Sequence, residues 1–360
     1  MAAGLDRSRF TPLVVLPDEG ELAADLRAAG VEVLARPLAV LRRGLLTPRG
    51  LAAIAAAAAR DAAALRKLVR AREVALIHSN TSVILSGATA AATARLPHLW
   101  HVREIYTGSD FERAWPAFRT LMLSATALPC VSRATAAQFG ASSRARVVPD
   151  GLAIEARRAP RAAARAALGL REDVPVIAVL GRISGWKGQD VLVRALAEPE
   201  LFRRGAIALI AGAAWPGAEE RAVAVRVLAR SLGVDGRVRF VGFRDDVENV
   251  YGAADVIAVP STAPDPLPGA AIEAAAAGCA VVASAHGGLS EIITDGRTGR
   301  LVTPGDPSAL ARAAAALIDD PEARSRLGAE AAADVRERFA PHRLLETLQA
   351  LYDEVLERSG

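Results

Sequence analysis

The segment best suited to chemistry is a glycine-rich turn that carries two cations. Residues 180–190 hold Arg182 and Lys187 among three glycines, and Lys187 is one of only two lysines in the chain. An apolar run at 174–180 predicts a buried strand before the turn, and the pattern at 190–196 predicts a helix after it. A strand, a turn and a helix start direct backbone N–H groups and a positive dipole at one point, which favours an anion such as a diphosphate. The alternative is an ordinary strand-to-helix loop with surface charges.

A second candidate anion site lies in a proline-rich loop further along the chain. Three prolines between residues 264 and 268 stiffen this loop, and Gly269 allows close backbone approach before a helix predicted to begin near Ala270. The first N–H groups of that helix are free to bind an anion. Glu273, one turn into the helix, could accept hydrogen bonds from two ribose hydroxyls. The alternatives are that Glu273 merely complements the helix dipole and that Asp265 is a turn residue.

Length and composition narrow the class of protein. A chain of 360 residues is longer than one hydrophobic core usually supports, which predicts two domains. The net charge of +4 is spread along the chain without runs of like charge, so nucleic acid is not an expected partner. Two cysteines give no disulfide framework or zinc spacing. The start has no charged and apolar leader pattern and no apolar stretch reaches 18 residues, which predicts a cytoplasmic protein.

Short apolar strands alternate with helical patterns in both halves of the chain, which predicts two doubly wound domains with parallel sheets. Residues 1–152 form the predicted N-terminal domain, 153–173 a connection, and 174–340 the C-terminal domain. A last helix over 341–360 is expected to pack back on the N-terminal domain. The strand ends of both domains are expected to face a shared cleft. The predicted strands are residues 12–16, 31–35, 74–78, 98–102, 128–132, 146–149, 176–180, 206–211, 238–241, 256–259, 280–283 and 300–302.

Six motifs in a fixed order carry a resemblance to a known family. Gly181-Arg182 is followed after four residues by Lys187-Gly188, and Asp265 is followed after seven residues by Glu273. The other motifs are residues 240–244, residues 255–261, Gly287-Gly288 with Glu291, and the Asp-Gly-x-Thr-Gly of 295–299. In this order and spacing, the chain resembles the retaining nucleotide-sugar glycosyltransferases of family 4. The resemblance implies the α/β GT-B fold, which consists of two Rossmann-like domains.

The same resemblance assigns roles to individual residues. It implies that Arg182 and Lys187 hold the donor diphosphate and that Glu273 binds the ribose. Asp265 would contact the transferred sugar, and His101 of the N-terminal domain would face that sugar too. The residues implied to act in catalysis are Arg182, Lys187, Asp265 and His101. Those implied to bind the donor are Gly181, Phe243, Arg244, Gly269, Ala270 and Glu273.

Two departures from the family pattern stand out. The first acid of the family is usually glutamate, and Asp265 is one methylene shorter, so the sugar contact must come about 1.5 Å closer or pass through water. The family also opens with a strand, a glycine-rich turn and a helix. Residues 1–10 match the end of that helix, which predicts that the N-terminal domain lacks its first strand and most of its first helix.

We expect no metal and no cofactor. The chain has no Asp-x-Asp motif, which leaves a diphosphate-bridging cation without obvious ligands. His98 and His101 form a His-x-x-His, but positions three apart on a strand face opposite sides. We therefore predict that Arg182 and Lys187 replace the metal.

The predicted function is a retaining, metal-independent glycosyltransferase that moves a sugar from a nucleoside diphosphate to a hydroxyl of a glycan or lipid-linked glycan. One alternative is a sugar-nucleotide epimerase of the same fold, and another is a truncated remnant that binds a nucleotide without turnover. The basic helix predicted over 48–71 could lie on a membrane surface. A solvated face of the domain is the alternative for that helix.

Overall fold

The structure is a computed structural model that describes residues 1–41, 45, 47–107, 111–152 and 155–358. It divides into two compact units, residues Met1–Gly151 with Pro341–Gly360, and residues Leu152–Ala340. The beginning of the predicted connection, residues 153 and 154, lies outside the described residues. So do residues 359 and 360, the end of the predicted last segment.

The first unit is built on short parallel strands. Within the described residues, β1 pairs with β2, β3 with β4, and β5 with β6. Isolated parallel bridges from Leu99 to Ala127 and from Val102 to Cys130 join the pair β3–β4 to the pair β5–β6. Parallel strands need crossover connections, and helices supply them here. The strands are β1 (Leu13–Leu16), β2 (Glu32–Ala35), β3 (Ile77–Ser79), β4 (His98–Trp100), β5 (Leu128–Cys130) and β6 (Ala145–Val147).

Helices alternate with these strands, as the sequence predicted. The longest, α2, begins after Thr47, whose hydroxyl accepts a hydrogen bond from the Gly50 N–H, and Pro48 occupies its first position. None of the helices in the described ranges is long and apolar enough to cross a membrane. The helices before the second unit are α1 (Glu21–Ala28), α2 (Pro48–Ala71), α3 (Ser86–Ala94), α4 (Trp115–Met122) and α5 (Arg133–Ala137).

The second unit contains a parallel sheet in the order β12-β11-β10-β7-β8-β9. The chain proceeds outward from β7 to β9 and then returns to the other side of β7, so that the strand order reverses between β7 and β10. Ligands bind at such a reversal, outside the carboxyl ends of the strands. The strands are β7 (Val176–Leu180), β8 (Ile207–Ala211), β9 (Val238–Gly242), β10 (Val256–Val259), β11 (Val281–Ser284) and β12 (Arg300–Val302).

Helices cover both faces of this sheet, and two hydrophobic clusters lie between the layers. Ile177 and Val179 of β7 belong to one cluster, whereas Val176 and Ala178 belong to the other, because alternate side chains of a strand point to opposite faces. The helices are α6 (Arg161–Ala167), α7 (Gln189–Ala197), α8 (Pro199–Phe202), α9 (Glu220–Ser231), α10 (Val247–Ala253), α11 (Gly269–Ala276), α12 (Leu289–Ile292), α13 (Pro307–Asp319) and α14 (Pro321–Arg338).

The segment predicted as a connection, 153–173, is part of the second unit where it is described. Arg165 of α6 is fully buried, and its guanidinium donates 2.9 Å to the Asp255 carboxylate. The same guanidinium donates to the backbone carbonyls of residues 171, 172 and 174. A buried charge needs such partners. The network therefore attaches α6 to the start of β10.

The last helix, α15 (Pro341–Glu357), belongs to the first unit. Its buried side chains include Leu348, Leu351 and Tyr352, which pack in one cluster with Leu5 and Leu99. The apolar residues recur at helical spacing, so one stripe of α15 is buried against the sheet. The predicted lack of an opening strand and helix stays a prediction.

Candidate functional site

Two loops meet at the point where the strand order of the second unit reverses. The loop after β7 carries Lys187, and the loop after β10 carries Asp265. The Lys187 Nζ lies 2.7 Å from the Asp265 Oδ2, and the two side chains are 22% and 6% exposed. Hydrogen bonds between charged groups are stronger than neutral ones, and a buried carboxylate needs one. The structure thus brings together two residues that the sequence suggested for separate roles.

Glycines allow the backbones around this pair to approach each other. Gly188 has a φ of +75°, and a Cβ there would lie 1.9 Å from the Pro260 carbonyl oxygen. A Cβ on Gly288 would lie 2.2 Å from the Pro266 carbonyl oxygen. The Gly288 N–H also donates 2.7 Å to the Asp265 carbonyl. Any side chain at either glycine would displace a loop that positions the ion pair.

Arg182 lies on the same turn as Lys187 but has a different partner. Its side chain is exposed, and its guanidinium lies 3.7 Å from the ring centroid of Trp215. Such a cation–π contact orients the guanidinium without neutralising it. Sequence reasoning missed Trp215, although a tryptophan in a polar loop after a strand is an unusual residue. The Gly181 N–H donates to the Ala211 carbonyl of β8, so this amide is already used by the sheet.

The helix α11 begins four residues after Asp265. Its first residues are Gly269 and Ala270, and Pro268 before them supplies no side-chain cap. The first N–H groups of a helix have no partner within the helix, so a ligand can take them. Glu273 Oε2 accepts a hydrogen bond of 3.1 Å from the Tyr251 hydroxyl. Burial, and then the nearby Glu273 carboxylate, raise the pKa of Tyr251 well above its ordinary value, so the tyrosine remains a donor.

Phe243 and Arg244 follow β9, two strands away from β7. The Phe243 side chain is 76% exposed. Arg244 Nε donates 2.7 Å to Asp246 Oδ1. This hydrogen bond, followed by one from Asn249, lowers the pKa of Asp246. The fixed guanidinium and the exposed ring form an edge to which a planar base could bind.

Four buried polar atoms around the two loops have no hydrogen-bond partner among the described residues. The His286 Nε2 lies 2.9 Å from the Ser261 carbonyl oxygen, so Nε2 must carry a proton, and Nδ1 is the ring nitrogen left without a partner. Unpartnered buried polar groups are costly, so their accumulation indicates a site built for a polar ligand. Apart from their positions near the ends of strands, nothing in the sequence indicated this role for these residues. The four atoms are Ser184 Oγ, Gln189 Oε1, Ser261 Oγ and His286 Nδ1.

His101 lies in the first unit, directly after β4. The ring is fully buried, and its Nε2 has no partner in the described part of the chain. Burial lowers the pKa of His101 well below its usual range; His78 and Arg103 act in the same direction, and the Val148 backbone opposes them to a smaller extent. The imidazole is therefore neutral near pH 7.

The two histidines of the His-x-x-His bond to different groups. The His98 Nε2 lies 2.9 Å from the Ser79 Oγ, whereas the His101 Nδ1 lies 3.3 Å from the His78 Nε2. Over the described ranges, the structure contains no cluster of three or more histidine, cysteine, aspartate or glutamate side chains placed to hold a metal ion. The expectation of a metal-free site stays a prediction.

A family model described as glycosyl transferases group 1 matches residues 160–334. These residues include the loop after β7, the loop after β10 and α11. Residues 160–334, just under half of the chain, thus form a domain of the group 1 glycosyl transferases. A D-inositol 3-phosphate glycosyltransferase of Kribbella flavida is 39% identical over 223 residues, or 59% of this chain and 52% of that protein. The chain thus spans about half the length of the curated relatives it matches.

Two solved structures resemble most of the chain in fold. The Anabaena protein HepE, in complex with UDP and glucose, has a TM-score of 0.78 at 27% identity, with 95% of this chain and 91% of that chain covered. A sucrose-phosphate synthase of Thermosynechococcus elongatus has a TM-score of 0.72 at 27% identity, with 82% and 77% covered. Together with the parallel sheets of the two units, these likenesses confirm the predicted α/β GT-B fold.

Proposed function

We propose that this protein is a group 1 glycosyl transferase that moves a sugar from a nucleoside diphosphate to a hydroxyl acceptor, with retention of configuration. The observation that carries the proposal is the ion pair of Lys187 and Asp265 at the reversal point of the sheet, four residues before the start of α11. A cation and free helix N–H groups suit a diphosphate, and a buried carboxylate suits sugar hydroxyls. The complex of the similar HepE protein with UDP and glucose favours a donor of the same class.

The proposed chemistry depends on the charge that develops on the departing diphosphate. As the glycosidic bond breaks, Lys187 and Arg182 stabilise that charge together with the first N–H groups of α11. In the ligand-free site Lys187 is bound to Asp265. A bound diphosphate supplies Lys187 with a second anion, and Asp265 then accepts hydrogen bonds from the sugar. The departing phosphate would take the acceptor proton, as the resemblance to family 4 implies.

The proposal specifies the acceptor only as a class of compound. The curated relatives act, by their names, on D-inositol 3-phosphate, and this chain matches about half of their length. We therefore include polyol phosphates beside glycans and lipid-linked glycans among the acceptors to be tested. A cytoplasmic location and a peripheral contact with a membrane surface stay predictions.

The experiment that tests the proposal is a thermal-shift screen of sugar nucleotides, followed by a transfer assay with the best ligand. We expect one donor class to raise the unfolding temperature and to support transfer, with the anomeric configuration of the product read by NMR. Binding without transfer would favour the nucleotide-binding remnant. Interconversion of the sugar nucleotide without an acceptor would favour the epimerase. Inversion at the anomeric carbon would contradict retention.

We predict that Asp265→Asn weakens the full donor about tenfold but leaves the binding of UDP nearly unchanged. The asparagine keeps the shape of the side chain and loses the charge-assisted hydrogen bonds to the sugar, which UDP lacks. It also releases Lys187, which favours the diphosphate. Calorimetry with UDP and with the donor separates the two effects. Equal losses for both ligands would contradict the role given to Asp265.

We predict that turnover survives EDTA. The reason is that Lys187 and Arg182 lie on one turn, and that the chain has no Asp-x-Asp motif to bind a metal ion. Two preorganised cations can stabilise a leaving diphosphate without a divalent ion. Transfer rates are compared before and after chelation and dialysis. A complete loss that manganese or magnesium restores would show that the mechanism needs a metal.

A further inference from the structure

Three side chains of the first unit form a continuous hydrogen-bonded row. The Tyr352 hydroxyl lies 2.6 Å from the His78 Nδ1. The His78 Nε2 lies 3.3 Å from the His101 Nδ1. The row ends at the His101 Nε2, which is buried and has no partner among the described residues. A buried nitrogen at the end of such a row needs an explanation.

The row connects elements that are far apart in sequence. His78 lies in β3, and His101 directly follows β4, the strand paired with β3. Tyr352 lies on α15, where it is buried and packs edge-on against Phe10 with 5.6 Å between ring centroids. The sheet thus fixes the two histidines, and the last helix fixes the tyrosine. The free nitrogen lies by the carboxyl ends of parallel strands, the edge at which ligands bind in this type of sheet.

The positions of the protons follow from the chemistry of the three groups. A tyrosine hydroxyl can donate, and each neutral imidazole has one N–H donor and one acceptor nitrogen. If Tyr352 donates to the His78 Nδ1, the His78 proton must lie on Nε2. That proton is then donated to the His101 Nδ1, and the proton of His101 must lie on Nε2. In this arrangement only the His101 Nε2–H lacks a side-chain partner, and the Val148 backbone also acts on this ring.

The reverse arrangement leaves more groups without partners. His101 would donate from Nδ1 to His78, and His78 would donate from Nδ1 to the Tyr352 oxygen. The Tyr352 O–H and the His101 Nε2 lone pair would then both be buried and unused. Each unused buried polar group costs free energy, so the first arrangement is favoured. Burial also lowers the pKa of His78 to about 3, which keeps this ring neutral, as the row requires.

We propose that Tyr352 and His78 are positioning residues that fix His101 as its Nε2–H tautomer. The N–H then donates to an oxygen, a hydroxyl or a phosphate oxygen, of a substrate bound at the carboxyl ends of β3 and β4. The part that concerns the substrate depends on the proposed transferase function. The part that concerns the tautomer depends only on the hydrogen bonds of the first unit. A side chain on the last helix thereby determines what His101 can do.

The tautomer can be measured directly in the full chain. The protein has five histidines, so labelling with ¹⁵N-histidine and single His→Gln variants would assign every ring. Long-range ¹H–¹⁵N spectra distinguish Nδ1–H from Nε2–H. We expect Nε2–H for both His78 and His101 in the unmodified chain. An Nδ1–H tautomer at His101 would overturn the proposal.

The decisive variant is Tyr352→Phe, which removes the hydroxyl and keeps the ring. We expect the preference of His101 for Nε2–H to fall about fivefold, the factor that corresponds to one ordinary hydrogen bond. The matched control is Tyr106→Phe, which removes another buried hydroxyl of the same unit, bound 2.6 Å from the Ser82 Oγ. The control should lower stability to a similar degree and leave the His101 tautomer unchanged. An unchanged tautomer of His101 in Tyr352→Phe would overturn the positioning role of Tyr352.

A kinetic comparison tests the substrate part separately. With a donor verified by the transfer assay, we expect kcat of Tyr352→Phe to fall in proportion to the measured Nε2–H fraction of His101, while the dissociation constant of UDP is unchanged. Unchanged kcat together with a shifted tautomer would overturn the contact with substrate. If the unmodified chain transfers no sugar at all, the proposed function fails. The tautomer measurement would still decide whether Tyr352 and His78 fix the tautomer of His101.

Discussion

Lys187→Ala is expected to lower kcat/KM for transfer by about two to three orders of magnitude, or roughly 2.7–4 kcal/mol of transition-state stabilisation. Lys187 lies on the turn after β7 and pairs with Asp265, which comes four residues before the start of α11. A charge held in advance at the position where negative charge develops needs no reorganisation during the reaction. Steady-state kinetics with a verified donor measure the effect. We expect Arg182→Ala to act in the same direction.

The chain supplies a matched control, because its only other lysine is Lys67, exposed on α2. Lys67→Ala should leave kcat/KM unchanged. Removal of Lys187 also leaves the buried Asp265 carboxylate without its cation, which costs stability. The double variant Lys187→Ala with Asp265→Asn removes both charges, so it should recover stability without recovering turnover. Near-normal activity in Lys187→Ala and in Arg182→Ala would refute the diphosphate assignment.

Glu273→Gln is expected to raise the dissociation constant of UDP by about one to two orders of magnitude. The carboxylate lies one turn into α11, where it can accept hydrogen bonds from both ribose hydroxyls. Each hydrogen bond to a charged group contributes about 1.5–3 kcal/mol, and glutamine replaces one acceptor oxygen by a donor. Calorimetry with UDP and with uracil alone measures the loss. The variant should bind uracil, which lacks the ribose, as the unmodified chain does.

Tyr251→Phe is the control for this prediction. It removes the hydrogen bond of 3.1 Å to the Glu273 Oε2 but keeps the carboxylate. We expect a change of less than about fivefold in UDP affinity, because the ribose can still bind to both oxygens. A loss in Tyr251→Phe as large as that in Glu273→Gln would mean that the carboxylate serves the internal hydrogen bond rather than the ribose.

The sequence alone was sufficient for the order of the strands, but it did not predict α6 within the segment 153–173. The continuous apolar runs predicted β7 and β10 with the bounds that the structure has, because a strand buried on both faces has no polar interruption. The helix predicted over 48–71 is also found with those bounds, since a threonine and a proline mark its start. The predicted strand at 98–102 ends at Trp100 instead, because His101 and Val102 leave the ladder and form only isolated contacts. Glycine and proline patterns located the two candidate anion-binding turns by local geometry.

Contacts between distant residues were decided only by the tertiary structure. Lys187 and Asp265 are 78 positions apart, and nothing local to either residue indicates that they form an ion pair. The same holds for Arg182 on Trp215 and for Tyr352 with His78, which are 274 positions apart. Strand order in the sheet determines which loops become neighbours, and this order depends on how the helices pack as layers rather than on any local pattern. Residue types and spacing therefore indicated which groups could act on a nucleotide sugar, whereas the packing of the sheets decided which of them meet.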